Sequence, residues 1–100
     1  MTINTESLRD EIMRRLSQVI DPETGVDVVR MRLIEDMKVD PEGRATYTLR
    51  PSSFTCPLAA VLAYMVRNAV KEVPGVTSQQ ITIADHVDAE ELTEHLNSLE

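Results

Sequence analysis

The chain has 100 residues, of which one is a cysteine, and its 17 acidic and 10 basic residues give a formal net charge of −7. This length predicts a single domain over residues 1–100 with a core of its own. The single cysteine excludes an intrachain disulfide and predicts a cytoplasmic protein, while the acidic balance argues against nucleic acid as a partner. The chain has no run of about 18 apolar residues that would span a membrane, so no membrane association is expected.

The first predicted element is a helix, whose apolar residues recur at helical spacing: Leu8, Ile12, Leu16, Val19 and Ile20. Asn4 is a candidate N-cap, and Ser7 with Asp10 offers a competing capping box. Asp21-Pro22 is predicted to end this helix, because the residue before a proline is pushed out of the α region. The acidic turn that follows concentrates two carboxylates that could act in a site, but on its residues alone a helix stop with solvated carboxylates is the favoured interpretation.

Strand patterns occupy the middle of the chain. A short extended segment is predicted over 26–29, where three of the four residues are valine. The next strand is expected to place on one face Leu33, Glu35, Met37 and Val39. A turn over 40–43 leads to a strand whose alternate positions are apolar: Ala45, Tyr47 and Leu49. Two strands joined by so short a connection predict an antiparallel hairpin.

The clearest helical periodicity follows Pro57, which is expected in the first turn of the second helix. Its apolar positions are Leu58, Val61, Leu62, Met65, Val66, Ala69, Val70 and Val73. A third strand contains Ile81 and Ile83. A last helix over about 88–99 is predicted, with a hydrophobic staple of Val87 and Leu92 and an apolar stripe of Leu92, Leu96 and Leu99.

The order of elements is therefore α-β-β-α-β-α. It predicts an α+β fold with a small mixed three-stranded sheet and helices packed mainly on one face. The pattern leaves open whether the third strand flanks the first or the second, and whether the last helix belongs to the core.

Cys56 stands where the strand pattern gives way to the second helix. Unpaired N–H groups and the positive end of the dipole at a helix N-terminus favour the thiolate, which attacks electrophiles and binds soft metals. The alternative for this residue is a small buried hydrophobic side chain. A hydrolase would need a base beside the thiol, and a thiol peroxidase a resolving cysteine. Neither is indicated, so we expect no enzyme.

Four landmarks in order carry a resemblance to a known family. They are Asp21-Pro22-Glu23-Thr24-Gly25, the two strands, Thr55-Cys56-Pro57 before an amphipathic helix, and Val73-Pro74-Gly75-Val76 before the last strand. The chain resembles domain of unknown function fifty-nine, the family of SufT-like and PaaD-like proteins. The resemblance covers about residues 8–84 and leaves the helix at 88–99 as an addition. One departure is Arg32, in Met31-Arg32-Leu33, where family members tend to have a glycine.

The resemblance implies a factor for the assembly or delivery of iron–sulfur clusters, acting as an adaptor or carrier. It implies that Cys56 is the functional thiol and a contact for a cluster or metal. Asp21 and Glu23 match the family's other marked segment, which folds near the thiol. Thr55 replaces the family's glycine beside the cysteine. These three residues are the expected neighbours in the site.

A count of ligands limits the chemistry. Iron–sulfur clusters need about four protein ligands, mostly thiolates, and this chain has one cysteine. No cluster is expected to be tightly bound by one chain; a cluster or iron would be shared with a second chain, as in a homodimer, or with a partner. The expected partners are other iron–sulfur assembly proteins or apo-client proteins. Two alternatives remain: an interaction module with a structural Cys56, and a mononuclear metal-binding protein.

Overall fold

The computed structural model describes residues 4–53, 55 and 57–98. Its elements follow the predicted order and are α1 Thr5–Leu16, β1 Ile34–Val39, β2 Arg44–Leu49, α2 Ala59–Lys71, β3 Ser78–Ile83 and α3 Ala89–Ser98. Asn4 caps α1, because its Oδ1 accepts a hydrogen bond from the Ser7 backbone N–H at 3.0 Å. None of the described helices has the length and apolar character needed to cross a membrane.

The sheet has the strand order β1-β2-β3 and is mixed. The tight turn after β1 makes β2 antiparallel to it, and the crossover through α2 makes β3 parallel to β2. The strand order that the sequence left open is thus settled, with β2 in the centre. On β2 and β3 the side chains that point to one face are buried, namely Ala45, Tyr47, Leu49, Ile81 and Ile83. That face carries the core, which confirms the predicted fold class.

The last helix covers the outer edge of β3. The Asn97 side chain pairs with both backbone groups of Ile81, accepting from its N–H and donating to its carbonyl at 2.9 Å. Thr93 Oγ1 accepts from the Ile83 N–H at 2.8 Å. These bonds satisfy strand groups that would otherwise form an open edge. Because Leu96 is buried in the core, α3 is part of the packed fold.

Strand β1 departs from the predicted alternation. Its register against β2 shifts between Glu35 and Lys38, and Asp36 has a φ of 54°. A bulge of this kind adds one residue and moves the following side chains to the other face. Ile34 and Met37 are consequently the buried residues of β1, so the predicted face that joined Glu35 with Met37 is wrong.

Three helix boundaries or faces also differ from prediction. Helix α1 ends at Leu16, before the predicted stop at Asp21-Pro22, and the next two residues form a turn. In α2, Val61 and Met65 are 49% and 36% exposed, because eight apolar positions are more than one helix face can bury. Before α3, Val87 is exposed, which does not fit the predicted staple.

The segment over 26–29 is not the extended strand that its valines predicted. Asp27 forms an isolated antiparallel bridge with Ile20, and residues 28–32 form successive turns. Arg32 adopts a φ of 59°, in the left-handed region that favours glycine. The departure at 31–33 therefore keeps a glycine-like backbone with an arginine side chain.

Candidate functional site

The predicted site joins two loops: the acidic turn after α1 and the segment that precedes α2. Cys56 lies outside the described residues, as does Phe54. Of its described neighbours, Thr55 and Pro57 are exposed. Leu58 is the N-cap of α2 and makes no side-chain capping hydrogen bond. Helix α2 thus begins two residues after Pro57, so the prediction that Pro57 forms its first turn is wrong.

The acidic turn is closed by backbone hydrogen bonds around Asp21. Its N–H donates to the Val26 carbonyl at 2.9 Å, and its carbonyl accepts from the Gly25 N–H at 2.8 Å. Gly25 has a φ of 74°, a conformation that glycine adopts without strain. The adjacent Val28 is buried and anchors the loop to the core. The turn is therefore a fixed support for its acidic side chains.

The Asp21 side chain is fully buried. Its Oδ1 accepts from the Glu23 backbone N–H at 2.9 Å, whereas its Oδ2 has no hydrogen-bond partner among the described residues. A buried polar atom left unpaired costs about 1–3 kcal/mol. The interpretation of Asp21 as a solvated helix stop is wrong, because the loop folds over its carboxylate.

Glu23 connects the acidic turn to the second loop. The Ser52 hydroxyl donates a hydrogen bond to Glu23 Oε2 at 3.2 Å. Ser52 lies four residues before Cys56 in the chain. The turn and the segment before α2 are therefore neighbours, although 29 residues separate the bonded pair.

A charged network lies at the same end of the sheet, where β2 leads into the second loop. Arg50 donates from Nε to Glu35 Oε1 at 2.6 Å and forms an ion pair with Asp85. Hydrogen bonding from Arg50 holds the pKa of Glu35 below its ordinary value. Arg50 is thus paired with two carboxylates, Glu35 on β1 and Asp85 just after β3.

The two histidines serve different local structures. His86 is buried, and its Nδ1 accepts from the Asp88 backbone N–H at 3.0 Å, which places the proton of the neutral ring on Nε2. His95 Nε2 lies 2.6 Å from the Tyr64 hydroxyl. Within the described residues, no group of three or more His, Cys, Asp or Glu side chains could hold a metal ion.

The comparisons with known proteins decide the family. Residues 9–83 match the family model described as iron-sulfur cluster assembly protein. The chain belongs to this family. The matched range includes the acidic turn, the hairpin and the segment with Cys56, and ends at the last residue of β3. It does not include α3.

Two bacterial relatives have names that describe a role. The chain is 37% identical over 78 residues to the Fe-S protein maturation auxiliary factor YitW of Bacillus subtilis, covering 78% of this chain and 76% of that protein. It is 32% identical over 65 residues to the Fe-S protein maturation auxiliary factor SufT of Staphylococcus aureus, covering 65% of this chain and 74% of that one. These relatives confirm the SufT-like resemblance.

A solved structure supports the same fold. The crystal structure of a domain of unknown function from Bacillus anthracis superposes with a TM-score of 0.74 at 26% identity. The match covers 94% of this chain and 92% of that one. This coverage extends beyond the family model and so includes most of the chain.

Sequence reasoning missed two features near the candidate site. The burial of Asp21 had no local signal, because the same residues also form an exposed turn elsewhere in this chain. The exposure of Val61, Tyr64 and Met65 in the first turns of α2 did have a local signal. The apolar residues of α2 are too many for the single stripe that a helix in a small domain can bury.

Proposed function

We propose that this protein is a non-catalytic factor that assembles or delivers iron–sulfur clusters, with Cys56 as a transient contact for the cluster or its iron. Membership of the iron–sulfur cluster assembly family supports this role. So do the names of the relatives, which are maturation auxiliary factors. We place the protein in the cytoplasm, where a single free thiol stays reduced.

The observation that carries the proposal is the pairing of the two loops. Glu23 bonds to Ser52, so an acidic turn adjoins the segment that holds the only thiol of the chain. Asp21 lies two residues from Glu23, with a buried oxygen that has no hydrogen-bond partner among the described residues. Thiolate sulfur and carboxylate oxygen are both iron ligands in proteins. We therefore assign Asp21, Glu23 and Thr55 as neighbours of Cys56 in the site.

The ligand count makes the contact a shared one. One thiolate cannot supply the roughly four ligands that a cluster needs, so the cluster is cargo completed by a second chain or by a partner protein. The partners are assembly proteins that supply the cluster and apo-clients that receive it. Sedimentation of the anaerobic protein with and without iron and sulfide tests the shared arrangement. Unchanged monomers carrying a full cluster would contradict it.

The direct test is Cys56→Ser, which keeps the side-chain size and removes the thiolate. In a strain that lacks this protein, the variant should fail to restore the activity of cluster-dependent enzymes. The matched control is Thr82→Ser, at an exposed position of β3, which should restore it fully. Thermal unfolding of both purified variants excludes loss of the fold. Full restoration by Cys56→Ser would show that the thiol has no such role.

A thiol-labelling assay separates the proposal from a structural role of Cys56. Fast labelling of the folded protein at neutral pH supports an accessible thiolate, because thiolate is the reactive form. Protection until unfolding supports the interaction module with a packed cysteine. In that alternative the apolar stripe of the last helix could bind a partner, but Leu96 is buried and Leu92 packs against the core. These two positions are therefore occupied within the fold, and Leu99 lies outside the described residues.

A further inference from the structure

A cavity lies beside α2, β3 and α3 and contains the protein's buried arginine. Its volume is about 430 Å³, within the range of small-molecule sites. The described residues that line it include Arg67 and Lys71 and no acidic residue. This is unusual on a chain with a net charge of −7. Arg67 lies eight residues along α2 from Ala59, about 12 Å at 1.5 Å per residue, so the cavity is separate from the loop of Cys56.

Arg67 is only 8% exposed. Its side chain makes no hydrogen bond or ion pair with any residue that the structure describes. An unpaired guanidinium enclosed in the interior would be expensive, and no Arg67 nitrogen is both enclosed and unpaired, so the unpaired group reaches the open space of the cavity. Tyr47 lies near it but supplies no negative charge, since burial raises the pKa of its phenol. The Tyr47 hydroxyl donates instead to Gln79 Oε1 at 2.6 Å.

The walls of the cavity are held by hydrogen bonds that leave few groups for a ligand. The Asn97 amide is used by the β3 edge, and the Thr77 hydroxyl donates to the Glu42 carbonyl at 2.8 Å. Gln79 Nε2 donates to the carbonyl of Arg67 at 2.9 Å. The Arg67 guanidinium is left facing the cavity. The backbone N–H of Gln79 joins it, because the alternation that points the Ile81 N–H outward does the same two residues earlier.

We propose that this cavity binds the phosphate or carboxylate group of a small molecule, with Arg67 as its counter-ion. The planar guanidinium matches either oxyanion through two parallel hydrogen bonds. The Gln79 N–H donates to a remaining oxygen. The volume leaves room for an organic body larger than the anion itself. Water is the competing occupant.

The test is a titration of the intact protein with inorganic phosphate and, separately, with acetate, at constant ionic strength set by chloride. NMR spectra of the labelled protein should show saturable shifts of the Arg67 Nε–H and the Gln79 amide. Saturation by phosphate alone identifies a phosphate-bearing ligand, and saturation by acetate a carboxylate-bearing one. No saturation by either up to roughly 50 mM, where a site with a Kd of about 1 mM is filled, would overturn the proposal.

Variants show whether Arg67 is responsible. Arg67→Met keeps most of the volume and should weaken binding by about tenfold or more, the usual size of a charge-assisted contact. Ser98→Glu, at an exposed position of α3 that lines the cavity, puts a carboxylate beside it and should abolish binding without touching the core. Arg30→Met removes an exposed arginine of the 28–32 turns and should bind as the wild type does. Binding that survives both cavity substitutions would sink the assignment.

Discussion

Two turns of this chain contain Asp-Pro-Glu followed closely by glycine, and the fold uses them differently. In both, the aspartate Oδ1 accepts from the backbone N–H two residues later at 2.9 Å. In both, its carbonyl accepts from the glycine, at 2.8 Å from Gly25 and 3.0 Å from Gly43. The two turns differ at the second carboxylate oxygen of the aspartate. Asp40 Oδ2 accepts from Arg44 Nε at 3.0 Å, whereas Asp21 Oδ2 is buried without a partner among the described residues.

The difference distinguishes an aspartate whose two carboxylate oxygens both have partners from one whose second oxygen has none among the described residues. Every carboxylate oxygen of Asp40 is bonded, and its partly exposed side chain also meets water. That turn is explained by the hairpin it closes. The bonds of Asp21 Oδ1 explain its turn equally well, but nothing local explains its second oxygen. We propose that the reason is the neighbouring thiol segment, which the hydrogen bond between Glu23 and Ser52 brings close.

The largest expected effect comes from Asp21→Asn, which preserves shape and removes charge. Delivery of clusters to client enzymes should fall about tenfold, because a charge-assisted contact is worth about 1.5–3 kcal/mol. The free energy of unfolding should change little, since an amide oxygen can still accept from the Glu23 N–H and Oδ2 has no partner among the described residues to lose. Enzyme assays in the complemented strain and urea unfolding measure the two quantities. Asp40→Asn is the matched control and should deliver normally. Equal delivery by both variants would erase the functional distinction between the turns.

A smaller effect is expected from the second acid of each turn. Glu23→Gln should lower delivery by roughly threefold, because Glu23 faces the thiol segment but is exposed, where charge contacts are weaker. Glu42, which pairs with Arg44 at 2.5 Å, stands in the same place in the other turn. Glu42→Gln should leave delivery unchanged in the same assay. A loss shared by both variants would point to net charge as its cause.

Stability should respond in the opposite way. Asp40→Ala removes the acceptor of two backbone N–H groups and the partner of Arg44. The melting temperature should fall by roughly 3–5 °C, a typical response of a domain of this size to loss of one such contact. Delivery per folded molecule should stay at the wild-type level. Calorimetry gives the melting temperature and the complementation assay gives delivery. Reduced delivery by fully folded Asp40→Ala protein would contradict a purely structural role of Asp40.

The smallest effect is a pH dependence that belongs to the hairpin turn. Hydrogen bonds from Arg44 and Glu42 backbone N–H groups, together with the Arg44 charge, hold the pKa of Asp40 below its ordinary value of 3.8. Asp40 therefore stabilises the fold above pH 3.8, and this contribution disappears as the pH falls through its lower folded pKa. The free energy of unfolding, measured in urea, should fall more steeply below pH 3.8 for the wild type than for Asp40→Asn. Parallel pH curves would remove Asp40 as the cause.

Local patterns were sufficient for most elements but failed where contacts are distant. The hairpin, α2 and β3 appear where periodicity and turn residues placed them, because those signals act within a few residues. The β1 bulge was hidden, since the alternation from Leu33 to Val39 looks regular until Asp36 adopts a positive φ. The sequence assigned too many residues to the core face of α2, because hydropathy does not show that Ala63 is more buried than Val61. In the structure Ala63 is buried and Val61 is exposed.

The sequence by itself determined the order of elements, the antiparallel hairpin and the family, because these depend on short-range patterns and on landmarks in fixed order. It also identified Cys56 as the thiol to consider and Asp21 and Glu23 as its expected neighbours. Only the tertiary structure decided that β3 lies beside β2, that α3 completes the sheet edge, and that Glu23 touches the loop before α2. It also buried one of two similar aspartates and left the other at the surface. Burial is a property of the whole packed chain, and identical local residues cannot specify it.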